Sequence, residues 1–185
     1  MTTAHMLTGR DLETEIRKAI RDVPDFPKPG IVFKDITPLL ANARLFVATT
    51  SALAAPFEHA DVTHVVAIES RGFILGAPVA QRLGAGFVPV RKAGKLPART
   101  EAEEYALEYG TDTLEIHADA CDWARKPRVL IVDDVLATGG TADATCRLVE
   151  KLGAKVVGFS FLVALSFLPG LERLRTRQMR TLVTY

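Results

Sequence analysis

The sequence predicts an α/β fold, a mostly parallel twisted sheet flanked by helices, and three observations carry that prediction. Short β-branched runs alternate with amphipathic helical stretches along most of the chain. The run "RVLIVDDV" (Arg128–Val135) is almost continuously apolar up to its acidic pair, the form of a strand covered by helices on both faces. Glycine turns stand where strands hand over to helices, as in "ESRG" and "ATGGT".

Taken in order, Thr8 to Val23 reads as an amphipathic helix, with Leu12, Ile16, Ile20 and Val23 on one stripe. "PDFPKPG" (Pro24–Gly30) breaks helical geometry with three prolines and a glycine. "IVFKDITPLL" follows, apolar with a charged centre, and a second helix is expected over about Arg44 to Pro56. "HVVAIE" (His64–Glu69) is a strand candidate, followed by a glycine turn and a helix through "ILGAPVAQRLG". "GFVPVRK" (Gly86–Lys92) is the next strand, followed by an irregular stretch to about Glu104. "EYALEYG" and "DTLEIH" alternate with period two and predict a hairpin turning at Gly110–Asp112. After "RVLIVDDV", Thr141 to Leu152 predicts a helix closed by Gly153, and "KVVGFSFLVAL" a final core strand.

Composition narrows the function. With 185 residues, 48% hydrophobic and 24% charged, the chain is an ordinary globular one, and no repeat or linker divides it. A net charge of +1 gives no global reason for a nucleic-acid partner, so any attraction to anions is local. Cys121 and Cys146 lie far apart without metal-ligand spacing and read as reduced thiols. No signal peptide and no apolar run of membrane-spanning length is visible, so a cytoplasmic protein without membrane partners is expected.

The informative stretch is "VLIVDDVLATGGT" (Val129–Thr141). Its strand delivers Asp133 and Asp134 to the carboxyl edge of the sheet, where open α/β folds bind ligands. Ala137, Thr138, Gly139, Gly140 and Thr141 then open a helix, and backbone N–H groups with two threonine hydroxyls form an anion site there. A carboxylate does not favourably face a phosphate, but it accepts hydrogen bonds from sugar hydroxyls or holds a hydrated Mg²⁺. One ligand with a ribose toward the acids and a 5′-phosphate toward the loop satisfies both. A helix-capping turn with solvated acids is the bland alternative, and the full thirteen-residue pattern outweighs it.

This stretch resembles the 5-phosphoribosyl 1-pyrophosphate (PRPP) signature of type I phosphoribosyltransferases. "DFPKPGIVFKDITPLL", "ESRGFILGAPVA", "VPVRKAGKLP" and "YALEYGTDTLEIH" are similar to the corresponding segments of the adenine-specific branch of that family, and the likeness runs from about Pro24 to Leu168. The resemblance implies a single domain over 1–185, with an N-terminal helix and small hood over about 8–40 and a core over about 44–168. It implies a purine salvage reaction, adenine plus PRPP giving AMP and pyrophosphate, with Mg²⁺ bound through substrate and water, in a homodimer. By resemblance Ser70, Arg71 and Gly72 surround the pyrophosphate, with a cis peptide between Glu69 and Ser70. Arg91, Lys92 and Lys95 become its cationic ligands, although a charge run read alone is a solvated face. Glu108 takes the position of the catalytic acid/base on a mobile lid hairpin that includes Tyr105 and Tyr109. Phe33 and Leu165 stack on the two faces of adenine, while backbone groups of Val32 and Lys34 read its 6-amino edge. One departure stands out: position 164 is Ala where many relatives carry an acid.

Overall fold

The computed structural model describes residues 9–106 and 110–185. The chain divides into two compact units within its third helix, one ending at Ala52 and the other running Leu53–Tyr185.

The smaller unit opens with α1 (Gly9–Ala19), which buries Leu12 and Ile16 on the predicted stripe. The helix stops four residues short of Val23, because Arg21–Pro24 forms strand β1 and pairs antiparallel with β2 (Val32–Asp35). Pro24 disfavours helical geometry at Val23, and the two-stranded ladder supplies hydrogen bonds in its place. Between the strands the proline segment turns back, with a cis Phe26–Pro27 bond and the Gly30 N–H donating to Asp25 Oδ1 at 2.8 Å. Then come α2 (Thr37–Ala41), which the sequence analysis did not separate, and α3 (Ala43–Ala54).

The larger unit is built on a seven-stranded sheet. Its strands are β3 (His64–Ile68), β4 (Gly86–Lys92), β5 (Thr100–Ala106), β6 (Thr111–His117), β7 (Arg128–Leu136), β8 (Lys155–Ala164) and β9 (Met179–Thr184). They lie in the order β5-β6-β4-β3-β7-β8-β9. The five from β4 to β9 pair in parallel, and β5 and β6 extend the sheet antiparallel. Helices α4 (Arg71–Leu83), α5 (Gly140–Lys151) and the short α6 (Gly170–Arg173) complete the unit. Val129 to Val132 on β7 are fully buried, as a strand covered on both faces requires.

Three boundaries differ from expectation. The hairpin begins at Thr100, not after Glu104, and Thr111 and Asp112 are already laddered to Ala106 and Tyr105 where a turn was expected. Gly72 lies inside the first turn of α4 and is not a separate turn. Strand β8 is not the last: β9 adds a parallel edge.

Candidate active site

Parallel strands bring their carboxyl ends to one edge, and the candidate residues of the larger unit gather there. Glu69 and Ser70 follow β3, Arg91 and Lys92 end β4, Asp133 and Asp134 lie near the end of β7, and Leu165 follows β8. The peptide between Glu69 and Ser70 is cis, as the resemblance implied. Ser70 caps α4, and Gly72 in its first turn lies so close to β7 that a Cβ there would stand 2.7 Å from Asp133 Oδ1. A side chain there would have to displace the Asp133 carboxylate, so glycine lets the "ESRG" segment lie against the acidic pair.

The pair itself is electrostatically costly. Asp134 is buried and Asp133 partly accessible, and the Asp133 carboxylate accepts the Asp134 N–H at 2.9 Å. Arg71 Nε stands 2.9 Å from Asp134 Oδ2, an ion-pair distance without hydrogen-bond alignment. Burial pushes both carboxyls above the usual range. The charge of Asp134 adds to the rise at Asp133, while Arg71 opposes it at Asp134. Ligand groups that donate hydrogen bonds or carry positive charge would favour the ionised pair.

Directly downstream, Gly139 adopts φ +78° as the N-cap of α5, a left-handed conformation suited to glycine. The first α5 hydrogen bond runs from Asp143 N–H to Gly139, so the amides of Gly140, Thr141 and Ala142 are not used inside the helix. Asp133, Ala137, Thr138, Gly139 and Thr141 line a small pocket of about 70 Å³ at this helix start. Dipole, unused amides and two hydroxyls make it an anion cradle. A brace that sequence reading missed supports it: Gly170 N–H donates to Ala137 O at 3.1 Å. Leu165 is anchored nearby, its N–H donating to Leu136 O at 3.0 Å, and Ala164 is buried at the end of β8.

The basic strip is structured, not a loosely solvated face. Arg91 Nε lies 2.9 Å from Glu69 Oε2, and Lys95 Nζ 2.6 Å from Glu69 Oε1. Lys92 pairs with Asp112 at 2.9 Å, which raises the lysine's pKa and lowers the aspartate's. Glu69 and Asp112 are site residues that sequence reading did not single out. For Glu69 a signal existed, since an acid ending a buried strand sits at the ligand edge.

Tyr105 is buried on β5 beside Asp112, to which its hydroxyl donates at a long 3.5 Å. Glu108 and Tyr109 lie outside the described residues. In the smaller unit Phe33 packs edge-on against Phe26, with ring centroids 5.2 Å apart, and Val32 is exposed. The Lys34 ammonium is tied to Asp22 at 2.6 Å across the β1–β2 ladder.

Comparison with known proteins identifies the family. Residues 37–166 match the family model of the phosphoribosyl transferase domain. An adenine phosphoribosyltransferase of Myxococcus xanthus (strain DK1622) is 57% identical, over 97% of this chain and 96% of its own length. The crystal structure of adenine phosphoribosyltransferase from Rhodothermus marinus DSM 4252 matches with a TM-score of 0.90 and 53% identity, covering 96% of this chain and all of that one. That of Saccharomyces cerevisiae, complexed with adenine and D-2,5-dideoxy-2,5-imino-altritol 1,6-bisphosphate, matches with a TM-score of 0.86 and 40% identity over 92% of this chain. With an acidic strand end feeding a glycine-capped helix, and with near-full-length likeness to these enzymes, the chain belongs to the phosphoribosyltransferase family, in its adenine phosphoribosyltransferase branch.

Proposed function

We propose that this chain joins N9 of adenine to the anomeric carbon of PRPP, giving AMP and releasing pyrophosphate. The observation that carries the proposal is the meeting, at one sheet edge, of an acidic pair, an anion cradle and a strip of cations. Those are the three complements that a phosphorylated, pyrophosphate-bearing ribose needs.

In this reading the amides of Gly140 and Thr141, with the hydroxyls of Thr138 and Thr141, hold the 5′-phosphate, and Ala137 and Gly139 shape the loop. Asp133 and Asp134 accept the ribose hydroxyls and favour positive charge on the sugar as the bond to pyrophosphate breaks. Ser70 and Gly72 shape the pyrophosphate loop, and Arg71, Arg91, Lys92 and Lys95 balance the leaving group's growing charge. All four of these cations are already matched by acids of the chain. A highly anionic substrate therefore gains from bringing a cation of its own. Oxygen donors at an edge such as Asp133–Asp134 suit a hydrated Mg²⁺ held through substrate and water. Bound there, the ion would make pyrophosphate a better leaving group.

Phe33, Leu165 and the backbone of Val32 and Lys34 are the proposed readers of the base. A carbonyl that accepts from a 6-amino group is left unpaired by a 6-oxopurine, which gives selectivity for adenine. Glu108 is the proposed acid/base at purine N7, on a lid segment with Tyr105 and Tyr109 that excludes water from the activated sugar. A cytoplasmic homodimer completes the reading, supported by the full-length likeness to the family.

A spectrophotometric assay with PRPP, Mg²⁺ and adenine, run beside hypoxanthine, guanine and xanthine, tests the proposal. AMP formation from adenine alone is expected, and turnover of a 6-oxopurine at a comparable rate would overturn the specificity. Glu108→Ala is expected to lower kcat by about 10²-fold or more while PRPP affinity changes little. An unchanged kcat would remove Glu108 from the chemistry.

A further inference from the structure

We infer that Glu69 is a built-in counter-anion for the pyrophosphate cations, set against the leaving group so that pyrophosphate is held loosely enough to depart. The inference rests on the reading above, in which Arg91 and Lys95 bind pyrophosphate.

The geometry is specific. The Glu69 side chain is 7% exposed, and its two carboxylate oxygens are divided between two cations, Oε2 to Arg91 Nε at 2.9 Å and Oε1 to Lys95 Nζ at 2.6 Å. The backbone fixes this arrangement from both sides. Glu69 N–H donates to Val90 O at 3.0 Å, holding the end of β3 beside the end of β4. The turn at Gly94, with φ +75°, then folds Lys95 back, and Arg91 Nη1 donates to the Lys95 carbonyl at 3.0 Å. Arg91 and Lys95 are thereby held close together, a repulsive arrangement for two cations that the carboxylate between them offsets.

The acid stays ionised to do so. Burial alone would raise its pKa, but the hydrogen bonds and charges of Lys95 and Arg91 hold it below the usual range. A pyrophosphate arriving at these cations meets a fixed negative charge that has already claimed one face of each. The carboxylate therefore does two opposed things. It pre-positions both donors, and it subtracts from their attraction for any anion. Product release benefits from the second effect, since pyrophosphate leaves at every turnover.

Calorimetric titration of the full chain with magnesium pyrophosphate tests this, with wild type, Glu69→Gln and Glu69→Asp compared. Glutamine keeps the shape and one acceptor oxygen but not the charge, so pyrophosphate should bind roughly tenfold tighter. Its product-inhibition constant should fall by the same factor, and kcat should fall as release slows. Aspartate draws the charge back from both cations, and a smaller tightening is expected. AMP, which lacks a pyrophosphate, should bind all three proteins alike. Should wild type fail to bind pyrophosphate at all, the reading of the site is wrong. Should wild type bind it and both folded variants, or whichever of them folds, bind equally or more weakly, Glu69 merely props the cations and the inference is wrong.

Discussion

At the scale of single residues, Asp35 explains how a charge comes to stand at the end of β2. Its carboxylate accepts the Thr37 N–H at 2.9 Å and the Thr37 hydroxyl at 2.7 Å, and it pairs with Arg21 across the β1–β2 ladder. The acid thus closes the strand and opens α2. The Thr37 hydrogen bonds first, and then Arg21, hold its pKa down from 3.8 to about 2. An acid that titrates lower in the folded chain than in the unfolded one adds stability above the unfolded value and loses it below. Asp35→Asn should therefore cost most at pH 6–7, progressively less from about pH 5 downward, and nothing only well below pH 2, where the folded carboxyl is protonated as well. Urea unfolding of both proteins at several pH values checks this, and a pH-independent difference would show that Asp35 acts through shape and not charge.

At the scale of elements, the loop Ala137–Thr141, the proposed phosphate cradle, depends on a short helix that its own sequence does not announce. A Cβ on Gly170 would lie 2.3 Å from Ala137 O and 3.0 Å from the Leu136 side chain, so α6 fits beneath the loop only without one. Gly170→Ala should push Ala137–Gly139 out of register. The expected result is a KM for PRPP raised about tenfold or more, a stability loss of about 1–3 kcal/mol, and a nearly unchanged KM for adenine. Equal effects on both substrates would mean a general loss of fold. The brace was hidden in the sequence because α6 is four residues long and carries no periodicity. Strand β9 escaped notice for a related reason, being a six-residue edge strand with a basic residue and threonines among its apolar positions. By contrast β7 and α5 were legible, since one carries an apolar run, Val129–Val132, ahead of its acids, and the other has Gly139 as its N-cap and a left-handed Gly153 just past its end. The acidic pair and the cradle were readable because β7 and α5 carry them in succession. The salt bridges from Glu69 and Asp112 were not, because strand order alone decides which acid meets which cation.

At the scale of the molecule, stability and function pull in opposite directions, and the acidic pair is where the conflict concentrates. Across the larger unit the sheet interior is apolar and tightly buried, yet its ligand edge holds two adjacent carboxyls whose pKa values burial drives up. A folded-state pKa above the unfolded value has the opposite sign from that of Asp35. Its cost is absent in acid and grows as the pH rises past the unfolded value near 4 toward the folded one. At neutral pH, then, the unliganded chain carries a penalty that a ribose and its metal would relieve. Asp133→Asn removes the charge, and its amide oxygen can still accept the Asp134 N–H. The variant should melt higher than wild type at pH 7, by roughly 2–4 °C for each kcal/mol relieved. It should also lose about 10²-fold or more in kcat/KM, because the transition state's positive sugar loses its partner. Thermal scans from pH 3.5 to 8 separate this from a simple packing change. The difference should shrink to nothing at the acid end, where wild type is protonated as well. A variant that melts lower at pH 7, or whose advantage grows on acidification, would mean that the pair is stabilised in the free protein and that its position at the site carries no such cost.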